Sequence, residues 1–189
     1  MRWYDLNLER YFPMPAPFQR IEKTQIGNRL LRSVVEDERF SRVFYEEVSF
    51  FKRRFRRCTW TDCRFRRCAF LSGTRFEDCA FAQCKFDRAH TYMGGPSFFV
   101  NCRFEGCLFE NVQFWESEFE RSSFPKSKFV NVVFYGPEAP KGWQTELREV
   151  DFTSAEFEFV DFRCGIDLSS TRFPSGFTPQ NVAACPNSK

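Results

Sequence analysis

FRRCTWTDCRFRRCAF, residues 55–70, places an aromatic ring at 55, 60, 65 and 70 and a cysteine at 58, 63 and 68. The ring period continues outward in both directions. Phe50 precedes the stretch, and Phe76, Phe81 and Phe86 follow after a one-residue slip. Phe99, Phe104, Phe109, Phe114, Phe119, Phe124, Phe129 and Phe134 come next, then Phe152, Phe157 and Phe162, with Leu168 and Phe173 last. Phe is 27 of 189 residues, so chance would put it at about one centre in seven, not at nearly all of them. The period is an internal repeat, and it decides the fold.

The position two before each centre is as regular. It reads Val48, Arg53, Cys58, Cys63, Cys68, Thr74, Cys79, Cys84, Ser97, Cys102, Cys107, Val112, and on to Thr171, nearly always small or β-branched. The other columns carry most of the charge. A period of five is neither the strand's two nor the helix's 3.6. It requires a short extended segment with a corner every fifth residue. In such a segment positions i and i−2 point to the same side. The centre and the small column therefore both face inward. A chain that turns at every repeat coils on itself, and each coil touches only its neighbours. Burying one Phe stabilises by about 1.5–3 kcal/mol, so the core is expected to rest on Phe65, Phe70, Phe81, Phe104, Phe109, Phe114 and Phe119.

The strings at 55–70, FEDCAFAQCKF (76–86) and FVNCRFEGCLFENVQF (99–114) resemble the pentapeptide-repeat proteins, and DLSSTRF (167–173) is similar to that family's commonest consensus. The resemblance covers about residues 40–185 and implies an all-β fold, a right-handed quadrilateral β-helix. This chain departs from the family by preferring Phe to Leu at the centre, and Cys to Ala beside it over the first half. A four-sided coil of 20 residues would stack Cys58, Cys79 and Cys102 in one ladder and Cys63, Cys84 and Cys107 in another. Parallel stacked side chains disfavour disulfide geometry, so these thiols are expected to be free core groups.

Three breaks interrupt the register: a minor bulge at 71–75, a turn-rich loop near 90–97 with Tyr92 and Met93, and the largest excursion at 135–149 with Trp143. Face assignments are not carried past Phe134. Residues 1–39 lack the period and are expected to cap the N-terminal end, with RLLRSVVEDERF after Asn28 readable as helix or strand. The β-helix is assigned to 40–177. For 178–189, Thr178–Pro179 signals a short helix over 179–184 and a tail, as GFTPQNVAAC resembles the helical tail of the family.

Chemistry is sparse. One histidine, His90, stands near no nucleophile motif, and the cysteines are spaced C-x₄-C and not as zinc ligands. No metal, cofactor or catalytic residue is expected, and no enzyme. No signal peptide or membrane-spanning run is read, so a cytoplasmic protein with nine reduced cysteines is expected. Charge is segregated: residues 50–75 sum to +8 and residues 105–161 to −7. The basic collar (Lys52, Arg54, Arg56, Arg57, Arg66, Arg67), with Tyr92, Met93 and Trp143, is the candidate partner-binding set. A solvated collar is weighed ahead of an acidic protein partner, and nucleic acid comes last, because four-sided coils scatter the arginines. A binding scaffold for another protein is the leading function. The resemblance implies immunity or self-protection against a bacterial toxin, with topoisomerase protection of the quinolone-resistance type and a purely structural module as alternatives. A homodimer through a solenoid end is left open.

Overall fold

The computed structural model describes residues 19–22, 25–26, 34–71, 73–91, 97–137, 145–179 and 181–182. Among them every named element is a strand, and every pairing is parallel. The strands form a four-sided β-helix. The first face stacks the centres Val35, Phe55, Phe76, Phe99, Phe119 and Leu147. The second stacks Phe40, Trp60, Phe81 and Phe104, and continues through bridges from Arg103 to Ser123, Asp151 and Arg172. The third stacks Ile21, Tyr45, Phe65, Phe86, Phe109, Phe129 and Phe157. The fourth runs through Ile26, Phe50 and Phe70, then from Thr91 to Phe114, Phe134 and Phe162.

The phenyl rings set this geometry. Along the third face Phe65, Phe86, Phe109 and Phe129 lie parallel, with centroids 4.7 Å apart at each step. That is the spacing of hydrogen-bonded strands, and it lies within the centroid range of offset-stacked rings. Between faces the rings meet edge to face, as Phe104 and Phe109 do at 5.7 Å, the other favoured aromatic arrangement. The small column has its own task. Its buried thiols and hydroxyls donate to the carbonyl of the centre residue one coil below: Cys68 to Tyr45 at 3.3 Å, Cys107 to Phe81 at 3.3 Å, Ser127 to Phe104 at 2.8 Å. The seven column cysteines are buried free thiols, stacked 58–79–102 and 63–84–107 as the arithmetic predicted. Burial pushes the Cys68 thiol up to about 12.

The corners carry a feature that the column pattern does not announce. The residue two after most centres adopts a left-handed backbone, with φ near +50° at Arg57, Asp62, Arg67, Gln83, Arg88, Asn111 and Lys126 among others. Such a φ disfavours most side chains. It is held here because the corner N–H donates to a carbonyl of the next coil, as from Arg57 to Glu77 and from Gln83 to Glu105, both at 2.9 Å.

Val34–Glu36, readable from sequence as helix or strand, is a strand paired with Arg54–Arg56, and Gln19–Glu22 pairs with Val43–Glu46, so the coil already runs within 1–39. Asn181–Val182 pairs with Phe162–Arg163 as a strand, where a helix was expected over 179–184. In both places an open ladder offers unpaired backbone groups, and the chain satisfies them by continuing the ladder. Finally, the 135–149 break resolves with Leu147 as a centre above Phe119, which a search for Phe alone could not find.

Phe109 is 3% exposed and lies between two stacked rings. Phe109→Ala is expected to lower stability by about 3–5 kcal/mol in a denaturant titration. A loss below about 1 kcal/mol would show that the site repacks and that ring stacking is not the core's support.

Candidate functional site

The four faces differ in what they turn outward. On the first and third faces several charged residues meet opposite charges on neighbouring coils, although Arg54 stacks on Arg75, Arg64 on Lys85 and Glu118 on Glu146. Arg56 bridges Glu36 at 3.0 Å and Glu77 at 3.2 Å. Arg57 holds Asp37 at 2.7 Å, Arg66 meets Glu46 at 3.6 Å, and Arg67 meets Glu47 at 3.0 Å. The Arg57 guanidinium, hydrogen-bonded to Asp37, holds that carboxyl below its usual range. Arg54 lies 4.0 Å from Glu77, and Lys52 places its ammonium 5.2 Å from the Phe51 ring. The basic collar of residues 50–75 is thus interleaved with carboxylates of neighbouring coils. It is also split: Arg54, Arg56 and Arg57 belong to the first face and Arg66 and Arg67 to the opposite, third one. Tyr92, Met93 and Trp143 lie outside the described residues.

The fourth face is different. Its outward residues include Phe51, Ala69, Leu71, Val133, Trp115 and Tyr135, with Ser49, His90 and Gln113 between them. Apart from the exposed corner residue Lys52, its described outward charges are Asp161 and Arg163 on the last coil, and these pair with each other. Trp115 and Tyr135 stack at 3.6 Å, and the Trp115 indole donates to Gln113 Oε1 at 3.0 Å. Tyr135, Cys164, Trp115 and Val133 make a second apolar cluster outside the main core. Sequence reading missed this strip, although its signal was present: Phe51, Leu71, Trp115 and Tyr135 each follow a centre directly, where the third face places Glu46, Arg66, Asp87 and Glu110.

The register breaks meet this face as well. More than five residues separate the fourth-face centres Ile26, Phe70, Thr91 and Phe134 from the next first-face centres, Val35, Phe76, Phe99 and Leu147, so each insertion falls between the fourth and first faces. Gly136 permits one departure: a Cβ there would stand 2.3 Å from the Ile166 nitrogen and 2.6 Å from the Cys164 carbonyl. A cavity of about 20 Å³ remains among Phe70, Phe86, Phe99 and Phe109. His90, beside it, is half-buried, and burial pulls its pKa below the ordinary 6.5.

Cys164 corrects the expectation of nine reduced thiols. It is fully buried under the Trp115–Tyr135 cluster and is disulfide-bonded; Cys185 lies outside the described residues. Among the described residues no His, Cys, Asp or Glu cluster could hold a metal, and no helix is long and apolar enough to cross a membrane. Phe159, also missed, is 79% exposed in a left-handed corner (φ 56°).

Two consequences can be measured. His90 is the chain's sole histidine. Its folded pKa lies below the unfolded one, so the unfolded state binds more protons near and below pH 6.5, and stability falls as pH drops through that window. His90→Gln is expected to flatten this part of the stability–pH curve; an unchanged slope would show that His90 is solvated. Reversing Arg56, Arg57, Arg66 and Arg67 to Glu would set like charges directly opposite each other across coils. A lower Tm, partly restored by high salt, is expected, while the matching Gln variant stays close to wild type. Equal melting of the two variants would mean that the interleaved charges are decoupled.

No protein-family model matches the chain, and no curated protein does. Solved structures give likenesses at low identity. A trypsin-treated variant of QnrB1, a plasmid-mediated fluoroquinolone resistance protein, matches at 15% identity and TM-score 0.42 over 84% of this chain and 91% of its own. Rfr23, a pentapeptide repeat protein from the cyanobacterium Cyanothece 51142, matches at 8% and 0.41 over 82% and 88%. HetL, a pentapeptide repeat protein involved in heterocyst differentiation regulation from Nostoc sp. strain PCC 7120, matches at 8% and 0.30 over 90% and 97%. What those proteins do stays with them. The five-residue register, the four-sided coil and the stacked rings are this chain's own, and on them its fold is a four-sided parallel β-helix with a five-residue repeat.

Proposed function

We propose that the chain is a non-enzymatic, rigid scaffold that binds another protein and neutralises it or protects it, as an immunity or self-protection protein against a bacterial toxin does. One observation carries the reading: a single face with an apolar, aromatic outer strip runs beside the corner at which the chain leaves the coil. Trp and Tyr are the residues that dominate binding energy at protein interfaces, and excursions from a rigid frame are where recognition groups concentrate. The ladders are continuous along each face, so a partner meets side chains there and not an open strand edge. The ion-paired collar contributes steering, which acts on the association rate, while the fourth face supplies the anchor.

The test is affinity capture from the host with wild type, a Trp115→Ala variant and a variant with the four collar arginines changed to Gln. A specific partner should bind wild type and the Gln variant. Trp115→Ala, at unchanged Tm, should weaken it by about thirtyfold or more, the loss of one hot-spot residue. Removing the gene should make the host sensitive to that partner if it is a toxin. Capture that ignores Trp115, or a partner that is a topoisomerase whose activity the chain preserves, would overturn the respective part of the reading.

A further inference from the structure

Within the coil the fourth-face ring stack is interrupted between Phe70 and Phe114. Phe50 and Phe70 stack at 5.0 Å, and Phe114 and Phe134 stack at 4.7 Å. The position between the two pairs, in register with Phe114, is Thr91, a residue without a ring. Phe70 and Phe114 lie two strand spacings apart, roughly 9–10 Å. The small column narrows at the same coil. Its fourth-face members run Val48, Cys68, Ala89, Val112 and Val132, all buried, and Ala89 is the smallest of them. The cavity among the rings lies at this coil. Phe70 and Phe114 both line it, with Phe86, Phe99 and Phe109 around them and Ala89 and Val112 from the small column.

Its volume of about 20 Å³ is the space open to the centre of a water-sized sphere, more than the roughly 10–15 Å³ at which one water fits. Water gains little there. A buried water takes about two to four polar partners, whereas these walls are rings and methyl groups, with His90 at one side. Every described wall residue is buried except His90, which is half-buried and marks the way in. We infer that the cavity is a binding site for one small apolar molecule, of the size class of a noble-gas atom or a two-carbon hydrocarbon. Such a guest leaves water, which favours burial of any apolar surface. It also gains dispersion contacts with the faces of Phe70 and Phe114 that the break leaves without a stacked ring.

The experiment is titration of the full chain with xenon dissolved under pressure, followed by methyl NMR shifts and by Tm. Xenon should shift the methyls of Ala89 and Val112 saturably, with one-to-one stoichiometry. It should also raise the Tm, because it binds the folded chain and not the unfolded one. Ala89→Val gives this position the residue type of Val112 and Val132 in the same column, and it should abolish the Val112 shift. Ala89→Cys, the residue type of Cys68 one coil below, should weaken binding by about tenfold or more as sulfur takes the guest's contacts. It keeps the proposal testable if Ala89→Val fails to fold. No saturable shift at several atmospheres of xenon, shifts confined to Ile21 and Val35 at the coil's N-terminal end, or binding unchanged in both Ala89 variants would each overturn the assignment.

Discussion

The distance between hydrogen-bonded strands falls within the centroid separation of offset-stacked phenyl rings, and the structure depends on that match. Centroids about 4.7 Å apart run through successive coils of the third face, so each ring covers its neighbour while the backbone above and below remains bonded. A branched aliphatic centre would also bury apolar area, but it would not tile a parallel stack face to face. The preference for Phe follows from this, and so does the demand for a small neighbour. Four rings meeting edge to face leave room in the inward corner for little more than a thiol, a hydroxyl or a branched carbon. Cysteine and serine suit the place twice over, because they fit and because they donate to the carbonyl below.

The same stacking explains how the surface can vary so freely. Corner residues adopt left-handed backbones that Arg, Lys and Asp would not choose alone, and the next coil's carbonyl holds each in place. Outward side chains then line up coil over coil, so many ion pairs join residues about 20 apart in sequence, while others join residues two apart on one strand. Interleaved pairs such as Glu36–Arg56–Glu77 arise in this way. A stretch that sums to +8 along the chain is therefore far more balanced in space than its sequence suggests. The fourth face escapes the pattern, with an uncharged aromatic strip over most of its length and the insertions at its border.

Much of the fold was legible before any coordinates. The centres, the small column, the two cysteine ladders and their free thiols could all be read, because one period governs them and any coil of four repeats must stack them. The reading failed where the centre was not aromatic. Ile21, Ile26 and Val35 keep the coil's register without a ring, and Leu147 does so after the longest break. A periodicity read through Phe alone stops at each of these positions, which is why the ends were taken for caps.

The sequence by itself determined the repeat, the identity of the core and the absence of a recognisable catalytic motif, since these follow from which residue types recur at which spacing. Only the tertiary structure decided which outward residues share a face. Interruptions of different length must each be closed before the register resumes, and their placement at one corner is a property of the closed coil. That placement brings Trp115 onto Tyr135 across 20 residues, buries Cys164 beneath them, and pairs the collar arginines with carboxylates instead of leaving them as one basic patch. Local sequence sets the period, but the coil's closure sets the neighbours, and binding depends on the neighbours.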